Sequence, residues 1–156
     1  MAGASNAHNQ IATNTLVALA TRLRGTACRA FNSDTKVRIH LPGQIRFYYP
    51  DVSVTCRPNA MHESFQDAPR VVVEVTSAEK RRIDEGEKLL AYQTIPSLAV
   101  YLIVEQDRAR VAVFRRTAAG FGFQEFESGG VVPLPEIGCE LPLAEVYDGV
   151  VATTGE

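Results

Sequence analysis

Two almost uninterrupted apolar runs constrain the fold of this chain more than any other feature of its sequence. The first is RVVVEV at residues 70–75, and the second is AVYLIV at residues 99–104. Runs without alternating polar residues are typical of strands that are covered on both faces of a sheet. Between them, the residues from Ser77 to about Thr94 are rich in Glu, Lys, Arg and Leu and precede Pro96, which predicts a helix. A strand, helix, strand order predicts a parallel right-handed crossover, and therefore an α/β fold with a mixed β-sheet flanked by helices.

The rest of the chain predicts one more long helix and several short strands. Residues from about 6 to 23 carry apolar side chains at helical spacing, with Ser5 or Asn6 as the N-cap and Gly25 as the stop. They are predicted at residues 28–31, 36–39, 47–55, 70–76, 99–105 and 110–116. The first four of these strands are expected to be mostly neighbours in one sheet.

Chain length and composition predict a single domain over residues 1–156. A chain of 156 residues that is 46% hydrophobic can form one domain with a core, but it is short for two. Residues 118–156 are rich in Gly and Pro, and we expect them to form an appended cover that contains an edge strand at 121–128 and a short helix or turn at 141–149. The net charge of −2 neither implies nor excludes a nucleic-acid partner.

The cysteines and the N-terminus predict a soluble cytoplasmic protein. Cys28, Cys56 and Cys139 are widely spaced and odd in number, which favours reduced core thiols over a zinc site or a disulfide framework. Residues 1–10 lack the basic and apolar regions of a secretory signal. The longest apolar run is far shorter than a membrane span, so no membrane partner is expected.

Two strand-like segments each carry a carboxylate where a hydrocarbon would be expected. Asp51 follows Pro50 at the head of one strand, and Glu74 lies inside the next apolar run. If the strands are adjacent, the two carboxylates form an oxygen-rich site of the kind that Mg²⁺ or Mn²⁺ prefers. The alternative is a turn aspartate together with a half-exposed glutamate that pairs with Arg70 or with an arginine of the following helix.

The second predicted helix places three polar side chains on one stripe. Asp84, Lys88 and Tyr92 recur at i, i+4 and i+8, and apolar side chains follow the opposite stripe. The stripe is either the lining of a cleft or a solvated face with an ordinary Asp84–Lys88 ion pair. Periodicity alone leaves both interpretations open.

The order of these residues resembles the PD-(D/E)XK nuclease superfamily and, within it, the bacterial Uma-two (Uma2) family of restriction endonucleases. The resemblance covers most of the chain and implies a restriction-endonuclease-like core. It implies that Asp51 and Glu74 bind the metal ion. The superfamily lysine two positions after the glutamate is missing, because residue 76 is threonine. The related group supplies its amine from the following helix, where Lys88 of the Asp84–Lys88 segment matches, and Thr76 and Ser77 are candidates for hydrogen bonds nearby.

Three further residues are candidates for accessory roles. His8 lies at the start of the first predicted helix, where a polar residue can cap, and the resembling proteins place a histidine there too. Asp34 and Lys36 could flank the cleft, with the lysine meeting phosphate, although a turn aspartate and an exposed strand lysine are the alternatives.

The basic run at residues 79–82 could contact a nucleic-acid backbone or begin a solvated helix. Because no aromatic series is interleaved with cations, the sequence offers little support for single-strand binding.

The resemblance implies a Mg²⁺-dependent endonuclease that acts on DNA, with Asp51, Glu74 and Lys88 as its catalytic residues. Relatives usually carry a further N-terminal helix and hairpin, with an acidic residue near the site, and this chain starts inside the segment that follows them. The alternative is therefore a catalytically inactive nuclease-fold module that dimerises or associates with nucleic acid. An in-frame upstream continuation coding for that helix and hairpin would favour the enzyme.

Overall fold

The structure is a computed structural model that describes residues 4–77, residue 80 and residues 84–150, with the backbone alone at 84 and 85. The helices are α1 (Asn6–Arg22), α2 (Leu89–Gln93) and α3 (Leu143–Val146), with a π-helical turn at Asp84–Lys88 and a 3₁₀ turn at Pro135–Ile137. The strands are β1 (Arg29–Asn32), β2 (Lys36–Leu41), β3 (Gln44–Tyr48), β4 (Val52–Thr55), β5 (Phe65–Gln66), β6 (Pro69–Thr76), β7 (Val100–Glu105), β8 (Arg110–Thr117), β9 (Gly120–Glu127), β10 (Val131–Leu134) and β11 (Cys139–Pro142).

A six-stranded mixed sheet forms the centre of the molecule, in the order β1-β4-β6-β7-β8-β9. Its central pair, β6 and β7, is parallel, and the other pairs are antiparallel. The predicted parallel connection between the two apolar runs is therefore confirmed. The predicted strand at residues 121–128 is confirmed as an edge strand, since β9 ends the sheet.

The expectation that the first predicted strands share one sheet is wrong for β2 and β3. Together with β5, which the sequence did not predict, these strands form a separate three-stranded sheet in the order β3-β2-β5. The predicted strand at residues 47–55 is two strands, because β3 ends at Tyr48 and β4 begins at Val52. Pro50 lies in the break, where a residue without a backbone N–H cannot continue a ladder. Gly43, with φ of +75°, makes the tight turn between β2 and β3.

The central sheet is buried on both faces, as the continuous apolar runs predict. On β6, Val71, Val73 and Val75 pack into a core with α1 and with the β10, β11 and α3 segments. Val72 points to the other face, where the core contains side chains of β2 and α2. Alternation of side chains along the strand explains this division.

Helix α1 begins and ends where the sequence predicts. The Ser5 hydroxyl accepts the backbone N–H of His8 at 3.1 Å and so caps the first turn. After the helix, Gly25 has a φ of +79°, a left-handed conformation that favours glycine. The cap places the His8 side chain at the beginning of α1, next to the ends of the central strands.

The prediction of three reduced thiols is wrong for Cys28 and Cys56, which form a disulfide bond with an S–S distance of 2.01 Å. Strands β1 and β4 are antiparallel with Arg29 opposite Thr55, so one further step of that register brings the two cysteines together. A separation of 28 residues gave no local sign of this pairing. Cys139 is a free thiol, and burial raises its pKa.

Residues 118–150 contribute to the core on the α1 side of the sheet. Tyr147, just after α3, ties this segment to the connection between β7 and β8. Its hydroxyl donates to the carbonyl of Glu105 at 2.7 Å and accepts the backbone N–H of Arg110 at 3.1 Å. The fully or largely buried residues of the segment are Val132, Leu134, Ile137, Leu141, Leu143 and Val146.

We predict that Tyr147→Phe lowers the free energy of unfolding by about 1–2 kcal/mol, because it keeps the ring and leaves two backbone groups without their partner. Urea titration followed by circular dichroism measures this change. Tyr49→Phe is the matched control, since Tyr49 is 58% exposed. Equal stability of the two variants would contradict the role of the Tyr147 hydroxyl.

Candidate active site

The pairing of β4 with β6 brings Asp51 and Glu74 together. Val52 lies opposite Val73, so continuing the register by one residue places Asp51 opposite Glu74. Directly opposite residues of antiparallel strands share a face, with Cβ atoms roughly 4.5–5.5 Å apart. One carboxylate oxygen of Asp51, Oδ2, accepts the backbone N–H of Val75 at 2.7 Å. This hydrogen bond fixes the aspartate at the end of β6.

A cleft of about 870 Å³ opens beside these two carboxylates. It is bordered by the first turns of α1 on one side and by the π turn before α2 on the other, so side chains from both layers face it. Six of the residues singled out in the sequence line this cleft. They are His8, Asp34, Asp51, Glu74, Thr76 and Lys88.

His8 contacts the aspartate from the α1 side. Its Nε2 atom lies 3.3 Å from Asp51 Oδ1, and both side chains are largely buried. The Asp51 carboxylate raises the pKa of His8 above its ordinary value, and partial burial of the imidazole opposes this shift. Both oxygens of Asp51 are therefore engaged, one by His8 and the other by the Val75 amide.

Lys88 contacts the glutamate from the opposite layer. Its Nζ atom lies 3.7 Å from Glu74 Oε2, and the glutamate side chain is 6% exposed. A buried carboxylate in an apolar strand requires a cation or hydrogen bonds, and the lysine provides the cation. Thr76, where the superfamily has its lysine, is 2% exposed, and its hydroxyl donates to the carbonyl of Ser77 at 3.2 Å.

Three of the candidate residues that the structure describes do not line the cleft. They are Lys36, Ser77 and Tyr92. Lys36 donates to the Ser64 hydroxyl at 3.3 Å, on the outer face of the three-stranded sheet. The expectation that Tyr92 lines a cleft is wrong, since it is fully buried between the rings of Tyr48 and Tyr101. Lys88 and Tyr92 still share one side of the helix, since both contact Tyr48, but this side packs against the core and does not face solvent at Tyr92.

Part of the predicted second helix lies outside the described residues. This applies to residues 78–79 and 81–83, and to the side chain of Asp84, so the Asp84–Lys88 ion pair remains a prediction. Lys80, from the basic run at 79–82, does line the cleft. The helix ends at Gln93, before Pro96, as predicted.

Sequence reasoning missed Tyr49 and Asn9, which also line the cleft. Each is close in sequence to a residue that was singled out, since Tyr49 precedes Pro50-Asp51 and Asn9 follows His8. Proximity to a site residue was therefore the available signal. Neither residue type carries a distinctive chemical signature by itself.

The side chains fit a cation that keeps part of its water shell. Within the described residues, no group of three or more His, Cys, Asp or Glu side chains is arranged to hold a metal ion. Asp51 and Glu74 offer carboxylate oxygens, which is the donor type that Mg²⁺ and Mn²⁺ prefer. Mg²⁺ is commonly held by one or two carboxylates, with waters and substrate phosphate completing its coordination.

The fold matches that of a crystal structure from Anabaena variabilis, described as a putative nuclease belonging to DUF820. The TM-score is 0.75 at 17% sequence identity, and the match covers 92% of this chain and 82% of the other. The predicted restriction-endonuclease-like α/β fold is thus confirmed. Within the described residues, no helix is long and apolar enough to cross a membrane.

Sequence comparison gives two relatives and a family. Two uncharacterized proteins of Synechocystis are similar to this chain. The protein slr1290 is 28% identical, and the match covers 96% of this chain and 79% of slr1290. The protein sll1609 is 29% identical, and the match covers 74% of this chain and 66% of sll1609. The model of the Uma2 family, described as "putative restriction endonuclease", matches residues 1–144. Family and fold together support a nuclease-type function. The resemblance seen in the sequence is confirmed, and the chain belongs to the Uma2 family.

Proposed function

We propose that this protein is a Mg²⁺- or Mn²⁺-dependent endonuclease that hydrolyses phosphodiester bonds in DNA. The observation that carries the proposal is the convergence of Asp51, Glu74 and Lys88 on one cleft, from a strand end, a buried strand and a π turn. Two carboxylates and an amine are a minimal set for metal-assisted phosphoryl transfer. The family description supports this reaction class.

Asp51 and Glu74 would hold the cation. When bound, a divalent cation polarises the scissile phosphate and offsets the charge that develops on it. The two carboxylates would otherwise repel each other, which favours a site that recruits a cation. The contact of His8 with one Asp51 oxygen and of the Val75 amide with the other restricts the rotation of this carboxylate.

Lys88 would act on the phosphate. Its ammonium group lies at the Glu74 carboxylate, and 28% of its side chain is exposed. Lys88 also lines the cleft. From there it can donate to a phosphate oxygen and stabilise the negative charge of the transition state. Lys80 lines the same cleft and can contact a neighbouring phosphate without reading sequence.

The first test is the response of thermal stability to metal. We predict that Mn²⁺ or Mg²⁺ raises the melting temperature of the wild type, since a ligand of the native state stabilises it by about 2.7 kcal/mol at a hundred times its Kd. Asp51→Asn should abolish this increment, because the amide keeps an acceptor for Val75 but loses the charge. Differential scanning fluorimetry with and without metal measures both.

Glu127→Gln is the control for this test, since Glu127 is an exposed acidic residue of the edge strand β9. Its metal response should equal that of the wild type. An unchanged response in Asp51→Asn would remove Asp51 from the metal site.

The second test separates a role of Lys88 in the reaction from a role in charge pairing. We predict that Lys88→Ala leaves the metal-induced thermal shift nearly intact and lowers the rate of plasmid nicking by at least about a hundredfold, the scale of one oriented electrostatic group. Lys88→Arg, which retains the positive charge, should recover part of the rate. Gel electrophoresis of supercoiled plasmid measures the nicking.

If Lys88 were only the ion-pair partner of buried Glu74, its removal would lower stability, by up to about 3–5 kcal/mol, and leave the rate of the folded protein unchanged. A wild type that binds Mn²⁺ but cuts no DNA would contradict the enzyme. That result would favour the alternative hypothesis of a catalytically inactive module that associates with nucleic acid.

A further inference from the structure

The outer face of the three-stranded sheet carries an unusual mixture of aromatic and basic side chains. In the ladder, Arg38 lies opposite Phe47 and Lys36 lies opposite Phe65, so these side chains share one face. The alternate residues Val37 and Ile39 point inward and are buried. We call this surface the aromatic face. It consists of Lys36, Arg38, Ile45, Phe47, Tyr49 and Phe65.

Three apolar members of the aromatic face are exposed, and the fourth, Phe65, is half-buried. Ile45 is 54%, Phe47 45% and Tyr49 58% exposed. Burial of such side chains is normally favourable, and a contiguous exposed apolar patch marks an interaction site more often than scattered single residues do. The aromatic face is therefore a candidate binding surface.

Cations lie over the rings of this face. The Lys36 ammonium is 5.5 Å from the centroid of Phe47 and 5.9 Å from that of Tyr49. The Arg38 guanidinium is 4.0 Å from the centroid of Phe65, and it is held in place by two hydrogen bonds of 2.8 Å that it donates to the Asp67 carboxylate. Rings and cations thus alternate across the strands.

This arrangement fits unpaired nucleotides. Exposed aromatic side chains stack with bases of any sequence, and nearby cations follow the phosphate backbone. The sequence offered little support for single-strand binding, because no aromatic series is interleaved with cations along the chain. The pairing of β2 with β3 and β5 creates such a series between strands instead.

The aromatic face is continuous with the cleft. Tyr49 belongs to the face and also lines the cleft, and Asp51 follows it by two residues. A polynucleotide strand that lies across Phe47 and Tyr49 is therefore led towards the two carboxylates. This continuity connects binding with the proposed chemistry.

We propose that the aromatic face binds the unpaired bases of a nucleic-acid strand and directs that strand into the cleft. The proposal rests on the proposed nuclease function and assigns its substrate class, a strand with a single-stranded region. Duplex DNA keeps its bases stacked inside the helix and offers no free ring to Phe47 or Tyr49.

A second copy of this chain is a less suitable occupant of the same surface. A twofold contact places one patch against its own copy. Such a contact would bring the Lys36 and Arg38 charges of both copies into one interface, and like charges brought close together are unfavourable. Phosphate groups instead complement these charges.

The test is the affinity for a fluorescein-labelled oligothymidylate of about twenty nucleotides, compared with a duplex of equal length, by fluorescence anisotropy in EDTA. We expect the wild type to prefer the single strand. Phe47→Ala should raise the Kd for the single strand by about tenfold or more, from loss of one stacked base. Lys36→Gln should reduce the salt dependence of binding, because one phosphate contact is lost.

Phe123→Ala is the matched control, since Phe123 is a 56% exposed phenylalanine on the distant strand β9. It should bind as the wild type does. Melting temperatures of all variants verify that each is folded. Both Phe47 and Lys36 are outside the core, and the agreement of two unrelated substitutions guards against a folding defect in one.

Three results would overturn the inference. They are a wild type without measurable affinity for the oligothymidylate, a Phe47→Ala variant with unchanged affinity, and an equal loss for single strand and duplex. A Phe47→Ala variant that turns a dimer into a monomer while its affinity for oligothymidylate stays unchanged would assign the face to self-association instead.

Binding in EDTA does not depend on cleavage, so the two proposals fail separately. If the wild type nicks plasmid in Mn²⁺ and Phe47→Ala binds normally, the nuclease proposal stands and the binding role of the aromatic face is rejected. If Phe47→Ala loses single-strand binding and the wild type never cleaves, the binding role stands and the nuclease proposal is rejected.

Discussion

The register of β4 against β6 is the constraint on which the rest of the site depends. With Val52 opposite Val73, Asp51 is brought opposite Glu74 and can accept the Val75 amide. A slip of one residue would send every side chain of the strand to the other face. The register is protected against such a slip because β6 is buried on both faces, and its valines fill two different cores.

The two layers around this ladder each supply one side chain to the carboxylates. Helix α1 provides His8 to Asp51, and the π turn before α2 provides Lys88 to Glu74. A buried glutamate without a cation would cost several kcal/mol or take up a proton. The position of Lys88 therefore couples folding to the chemistry we propose, since the group that stabilises buried Glu74 is also available to a phosphate.

The break between β3 and β4 gives the molecule a second functional surface. Because the chain leaves one sheet at Tyr48 and enters the other at Val52, residue 49 faces both the cleft and the outer side of the small sheet. The outer side, with its cations and rings, favours phosphates and bases. The carboxylates in the cleft favour cations. A polynucleotide satisfies both, provided that a cation accompanies its phosphate at Asp51 and Glu74.

The sequence by itself determined the elements that depend on local pattern. Capping and periodicity located α1, the two apolar runs located β6 and β7 as a parallel pair, and the order of Asp51, Glu74 and Lys88 indicated the family. Only the tertiary structure decided what depends on pairing or packing between distant residues. The Cys28–Cys56 bond and the aromatic face require strand registers that no local pattern encodes, and the burial of Tyr92 depends on its packing between Tyr48 and Tyr101. Local interactions act over a few residues, whereas these features arise only when separate segments pack together.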